Sequence, residues 1–262
     1  MSRSPSRTPR LSAVASALVL LALGASPGAA ASPTDQPPRA MAEHSELRPI
    51  AVSIGLAEPA SPAGIESTAP CSDRAFSAPT GRWSQTFRWS FNAASTPTGL
   101  RRSDAEAALK RGVRNIVSEH NDCGRPDSVS AAQTYLGVTS ARPNIDASGQ
   151  CTDYDGQNVI GFGRLPGNVT AYTCWWVQGD TIVEADMRIN SAEPWTTTLV
   201  GCTNQLMLEA VATHEAGHIF GLGHVRESRH PHLTMSTYLD GPCENGESTL
   251  GLGDMLGLES KY

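Results

Sequence analysis

His214-Glu215-Ala216-Gly217-His218-Ile219-Phe220-Gly221-Leu222-Gly223-His224 is the stretch that decides the reading of this chain. It follows the spacing H-E-x-x-H-x-x-G-x-x-H without a mismatch. His214 and His218 stand four apart, so on a helix they lie one above the other on one face, where two imidazoles can grip one metal ion. Glu215 lies beside that metal without filling a coordination position, which is where a general base for a metal-activated water belongs. Gly221 lets the chain leave the helix through a conformation closed to most side chains. The turn then brings His224 round as the third ligand. The fourth position stays open to water, which marks a catalytic rather than a structural zinc. H-E-x-x-H alone is a modest signal. Three satisfied histidines on an ordinary core helix would be the plainer explanation, but it leaves the glutamate, the glycine and the third histidine in register by accident.

Outward from this string, Leu233-Thr234-Met235-Ser236 supplies a methionine shortly after the third histidine, and the chain closes on Gly253-Asp254-Met255-Leu256-Gly257-Leu258-Glu259-Ser260-Lys261-Tyr262. Upstream lies Val183-Glu184-Ala185-Asp186-Met187. Together these resemble the metzincin metalloproteases, and within them a matrixin-like protease of secreted bacterial type. The resemblance covers 83–262, most strongly 203–262. It implies an α+β fold: a twisted mixed five-stranded sheet over an active-site helix, then a small C-terminal subdomain ending in a helix. It implies a Met-turn in which Met235 is a polarisable floor beneath the imidazoles rather than a ligand. The chain departs from the family in places. The segment from His224 to Met235 is longer than is typical, Met235 is followed by Ser-Thr-Tyr, no histidine occurs between 121 and 213, and the propeptide switch motif Pro-Arg-Cys-Gly is missing.

The N-terminus reads as a secretory signal over 1–31. Arg3, Arg7 and Arg10 precede the apolar run Leu11–Gly24, and Ala29-Ala30-Ala31 fits a cleavage site. That run is too short to span a bilayer. Removing these residues takes away three positive charges and no acids, so the net charge goes from −6 to −9. So acidic a chain is a poor binder of nucleic acid or of an anionic membrane. The expectation is an extracellular monomer that takes protein or peptide substrates. The chain has 18 Arg against 2 Lys, a weak hint of a GC-rich bacterial genome. Its six cysteines suggest three disulfides. Nearest-neighbour pairing is Cys71–Cys123, Cys151–Cys174 and Cys202–Cys243. The rival for Cys71 is a zinc-blocking switch, but it lacks that switch's flanking residues and would leave an odd cysteine.

Residues 32–70 are rich in Pro, Ala and Ser and read as a propeptide or disordered linker. From 71 to 262 the chain reads as one catalytic domain. The expected strands are 83–92, 133–138, 158–162, 170–177 and 182–190. A helix capped by Ser103 runs to Glu119, the metal helix is capped by Thr203 or Asn204, and a last helix covers 254–261.

The expected chemistry is peptide hydrolysis with Glu215 taking a proton from a zinc-activated water and passing it to the leaving nitrogen. Strand 170–177 is the expected sheet edge over the cleft, where an extended peptide could pair as an added strand. Trp175 and Trp176 face opposite ways and serve packing or disulfide shielding. Tyr238 lines a pocket or assists the oxyanion. Asp153, Asp155 and Gly156 loosely resemble a calcium (Ca2+) loop, against the alternative of a solvated polar turn. His230 and His232 read as loop residues. Two other functions compete with the endopeptidase: a non-catalytic secreted domain stabilised by zinc (Zn2+), and a zinc hydrolase acting on a non-protein amide such as cell-wall peptide.

Overall fold

The computed structural model describes residues 47–56, 69–79 and 81–262. The expected signal segment 1–31 lies outside the described residues, as does most of 32–70. In chain order the strands are β1 (Arg48–Leu56), β2 (Phe87–Asn92), β3 (Gln133–Val138), β4 (Asn158–Gly163), β5 (Val169–Gln178) and β6 (Thr181–Asn190). Three two-residue strands follow: β7 (Trp195–Thr196), β8 (Leu206–Met207) and β9 (Tyr238–Leu239). The helices are α1 (Arg102–Val117), α2 (Leu208–Ile219) and α3 (Leu252–Glu259).

The main sheet has seven strands in the order β3-β2-β4-β6-β5-β1-β9. β3, β2, β4 and β6 pair in parallel, and β5 turns back antiparallel to β6. The turn between β5 and β6 is the pair Gly179-Asp180, with Gly179 at φ +61°, the left-handed geometry a two-residue hairpin favours. In β2, Phe87, Trp89 and Phe91 are buried and Arg88 is exposed, so period-two alternation fixes which face meets the core. β4, β5 and β6 are buried on both faces. Trp175 joins the main core, while Trp176 packs with Ile145 and Cys174 in a smaller cluster on the other side.

The five expected strands are all present, but the sheet holds seven. The added members are β1 and the two-residue β9, and they change one expectation directly. β5 is not the sheet edge, because β1 pairs with it over Arg48↔Val177 to Gly55↔Val169. Part of the stretch expected to be weakly ordered is therefore a strand. Within it Ile50, Val52 and Ile54 alternate with Ala51, Ser53 and Gly55, a short period-two pattern inside a Pro- and Ala-rich background.

Several element starts also differ. β2 begins at Phe87 rather than Trp83, because the Trp83 backbone N–H donates to the Tyr262 hydroxyl and its indole N–H to the Ile219 carbonyl. Ser103 does not cap α1. Arg101 is the cap residue, with no side-chain cap bond, and it pairs with Asp104 in the first turn at 2.7 Å. Neither Thr203 nor Asn204 caps α2, since Leu206 and Met207 first pair with Trp195 and Thr196 and the helix starts only at Leu208. α3 starts at Leu252, two residues early, because Asp254 reaches back to the Gly251 N–H at 2.9 Å.

α1 packs against α2 at close range. A Cβ on Gly112 would fall within 3 Å of the Ala212 and Thr213 backbone. Asn115 donates to the Thr213 hydroxyl at 3.1 Å and Arg111 pairs with Glu209 at 2.5 Å. Cys71–Cys123, Cys151–Cys174 and Cys202–Cys243 are bonded, the nearest-neighbour set. Three disulfides fit an extracellular, oxidising setting. No helix among the described residues is long and apolar enough to cross a membrane.

Candidate metal centre and active site

α2 is apolar almost all round and every residue from Ala210 to Ile219 is buried, so its polar side chains have no solvent to turn to. His214 and His218 project from one face of it. Gly221, at φ +85°, ends the helix and reverses the chain. The three imidazole Nε2 atoms then converge, His214 to His218 at 3.0 Å, His214 to His224 at 3.0 Å and His218 to His224 at 3.1 Å. Among the described residues this is the single group of three or more His, Cys, Asp or Glu side chains that could hold a metal ion.

The outer nitrogens explain how the rings are held. His214 Nδ1 donates to the Thr234 carbonyl at 2.7 Å, and His218 Nδ1 to the Leu222 carbonyl at 2.9 Å. A proton used there leaves each Nε2 as a lone pair facing the centre. Burial holds all three rings neutral, with the neighbouring imidazoles adding to the effect at His214 and His218. His218 is pushed down to about 3 and His224 to about 4, and His214 falls well below its ordinary value. Three neutral imidazoles aimed at one point form a donor set that suits zinc. Trp175 stacks on His218 with centroids 6.2 Å apart and planes 9° apart.

Glu215 is fully buried next to this group. Burial pushes its carboxyl up to about 8, partly offset by the Thr173 hydroxyl and by the backbone N–H of Ile54. Thr173 donates to Glu215 Oε2, while Oε1 has no partner with full hydrogen-bond geometry. The carboxylate therefore has one anchored oxygen and one oxygen poised for a proton.

Below the site, Met235 is buried and carries out the packing expected of a Met-turn. A Cβ on Gly217 would overlap the Met235 sulfur. Gly217 occupies a position the histidine string leaves free, so the motif does not flag it. Helix propensity alone favours Ala over Gly by about 1 kcal/mol. Here the close contact reverses the sign: Gly217→Ala is expected to destabilise the protein by about 1–3 kcal/mol. Denaturant unfolding of both proteins checks this, and a more stable variant would show that the methionine can move aside.

Three further residues come to the site through the fold. Thr173 and Trp175 arrive from β5, and Asp254 from α3. The Asp254 carboxylate accepts the backbone N–H groups of Thr234 at 2.9 Å, Met235 at 3.1 Å and Gly251 at 2.9 Å. It thereby fixes the turn whose Thr234 carbonyl orients His214.

Other expected residues lie elsewhere. Tyr238 sits in β9 beside Gly55 and is 37% exposed. His230 pairs with Asp73 at 2.8 Å, and neither it nor His232 joins the metal cluster. In the loop suggested for calcium, the Asp155 carboxylate accepts from the Gln157 backbone and side chain, and Glu184 takes the N–H groups of Asp155 and Gly156. Gly156 is at φ +74°. The loop is a carboxylate-capped turn, and Asp153 and Asp155 join no cluster of three ligand side chains among the described residues.

Residues 166–262 match the family model described as Matrixin, a family of zinc-dependent metallopeptidases. Over that segment the chain is matrixin-like metzincin sequence. No curated protein matches the chain.

Proposed function

We propose that this chain is a secreted zinc endopeptidase in which His214, His218 and His224 hold the metal and Glu215 is the general base. The observation that carries the reading is the convergence of three neutral Nε2 atoms beside a buried carboxylate raised to about 8. Zinc held by the three imidazoles would supply Lewis-acid chemistry, polarising a peptide carbonyl and making water more acidic. The protein's own groups do the rest. Thr173 fixes one oxygen of Glu215, so the other can take a proton from the attacking water and return it to the leaving nitrogen. Exclusion of solvent strengthens each of these interactions. Met235 and Asp254 hold the ligands in place and touch no reacting atom.

A peptide-library digest with and without a zinc chelator tests the proposal. Cleavage of many peptides that stops on chelation and returns with zinc is expected. Failure of the zinc-loaded, processed protein to cut any of them would leave the non-catalytic binding domain. Cleavage of cell-wall amides alone would support the hydrolase of non-protein amides.

A further inference from the structure

β1 occupies the cleft in the way a peptide substrate should. It adds a strand to β5, the strand whose Thr173 anchors Glu215, and Val52 stands opposite Thr173. On its other side it runs parallel to β9, with Gly55 opposite Tyr238 and Leu56 opposite Leu239. The strand is thus clasped between β5 and the segment just after the Met-turn. Ile54 is fully buried and joins the main core together with Met235 and Leu239, while Ile50 and Val52 are partly buried against the same core. The position after Ile54 is tight, since a Cβ on Gly55 would come 3.1 Å from the Asn168 carbonyl oxygen.

The backbone group facing the Glu215 carboxylate is the N–H of Ile54. A base that returns its proton to a leaving nitrogen must face that nitrogen. We infer that the chain is its own first substrate, that the bond presented is Ser53–Ile54, and that the Arg48–Leu56 strand blocks the cleft until this bond is cut. The inference rests on the peptidase reading of the same site.

The step balances with one water. Its oxygen ends in the new Ser53 carboxylate. One proton passes by way of Glu215 to the Ile54 nitrogen, and the C–N bond breaks. Both new ends carry charge where the intact strand had a neutral amide, which weakens the pairing of Arg48–Ser53 with β5. That fragment also loses its tether, so an intramolecular contact of high effective concentration becomes a dilute bimolecular one. The same geometry assigns a substrate class: peptides with a branched or long aliphatic residue on the amine side of the cut bond, where Ile54 sits.

The test uses the full chain loaded with zinc, followed by intact mass and N-terminal sequencing. A new terminus at Ile54 is expected to form at a rate independent of protein concentration. Ile54→Asp should slow cutting at this bond about 100-fold, because a carboxylate cannot enter the buried site unpaired. Ile54→Leu, of equal volume, should stay within about tenfold of the parent. Circular dichroism checks that both variants fold. A readout independent of turnover comes from Glu215→Gln, which keeps the bond whole. In that protein the amides of Val52–Leu56 should be protected from hydrogen exchange at least about 100-fold over the free segment. Unprotected amides, a terminus at another residue, or equal cutting of Ile54→Asp would each overturn the inference. Library peptides cut normally while Ser53–Ile54 stays whole would sink the self-substrate proposal and leave the peptidase standing. No cutting of any peptide by any form would sink the peptidase reading itself.

Discussion

Glu215→Gln is expected to keep its zinc and its fold and to hydrolyse peptides about 10²–10⁴ times more slowly than the parent. The loss is larger still where the same group also returns the proton to the leaving nitrogen. Gln is close to Glu in size and can still meet the Thr173 hydroxyl through its carbonyl oxygen, so the anchored half of the side chain is preserved. What it lacks is the second oxygen able to take a proton, the one that in Glu215 has no fully formed partner. The imidazoles are untouched, and their outer nitrogens remain bonded to Thr234 and Leu222. Zinc content, circular dichroism and peptide hydrolysis on both proteins check the outcome. Equal hydrolysis would remove Glu215 from the mechanism, and a variant without zinc would show that the carboxylate serves the metal site instead.

The second large effect is expected at Asp254, which touches neither metal nor substrate. Asp254→Ala removes the acceptor of three buried N–H groups, those of Gly251, Thr234 and Met235. Each buried donor left without a partner costs about 1–3 kcal/mol, so a total loss of at least about 3 kcal/mol of folding stability is expected. The damage should reach the metal as well. Thr234 is the residue whose carbonyl holds His214 Nδ1, and disturbing such outer partners typically weakens metal binding about 10–100-fold. Denaturant unfolding at fixed zinc and competition with a chelator dye measure the two effects separately. A drop in stability with unchanged zinc affinity would mean that Asp254 supports α3 alone and not the Met-turn.

The contrast between Glu215 and Asp254 shows how far the residues can be read without the fold. The ligand string is local, eleven residues whose helical period and one glycine bring two imidazoles together and the third round a turn, so spacing alone predicts it. Strong periodic strands such as Gln133–Val138 are legible in the same way. The starts of helices were not. Ser103, Thr203 and Asn204 have the chemistry of caps, but nothing near them says that β7 and β8 pair first or that Arg101 takes the cap position. β1 was hidden because three alternating aliphatic residues carry little weight in a Pro- and Ala-rich stretch, and its pairing with β5 spans more than a hundred residues.

By itself, then, the sequence determined the donor set, the base, the five central strands and the cysteine pairing, all of which depend on residue type and short spacing. Only the tertiary structure decided what surrounds them: that Thr173 and Trp175 come from β5 to fix Glu215 and stack on His218, that Asp254 steadies the Met-turn, and that Arg48–Leu56 fills the cleft. The physical reason is that a buried hydrogen bond or an added strand depends on which backbone groups are left unpaired after the chain has packed, and no local pattern records that.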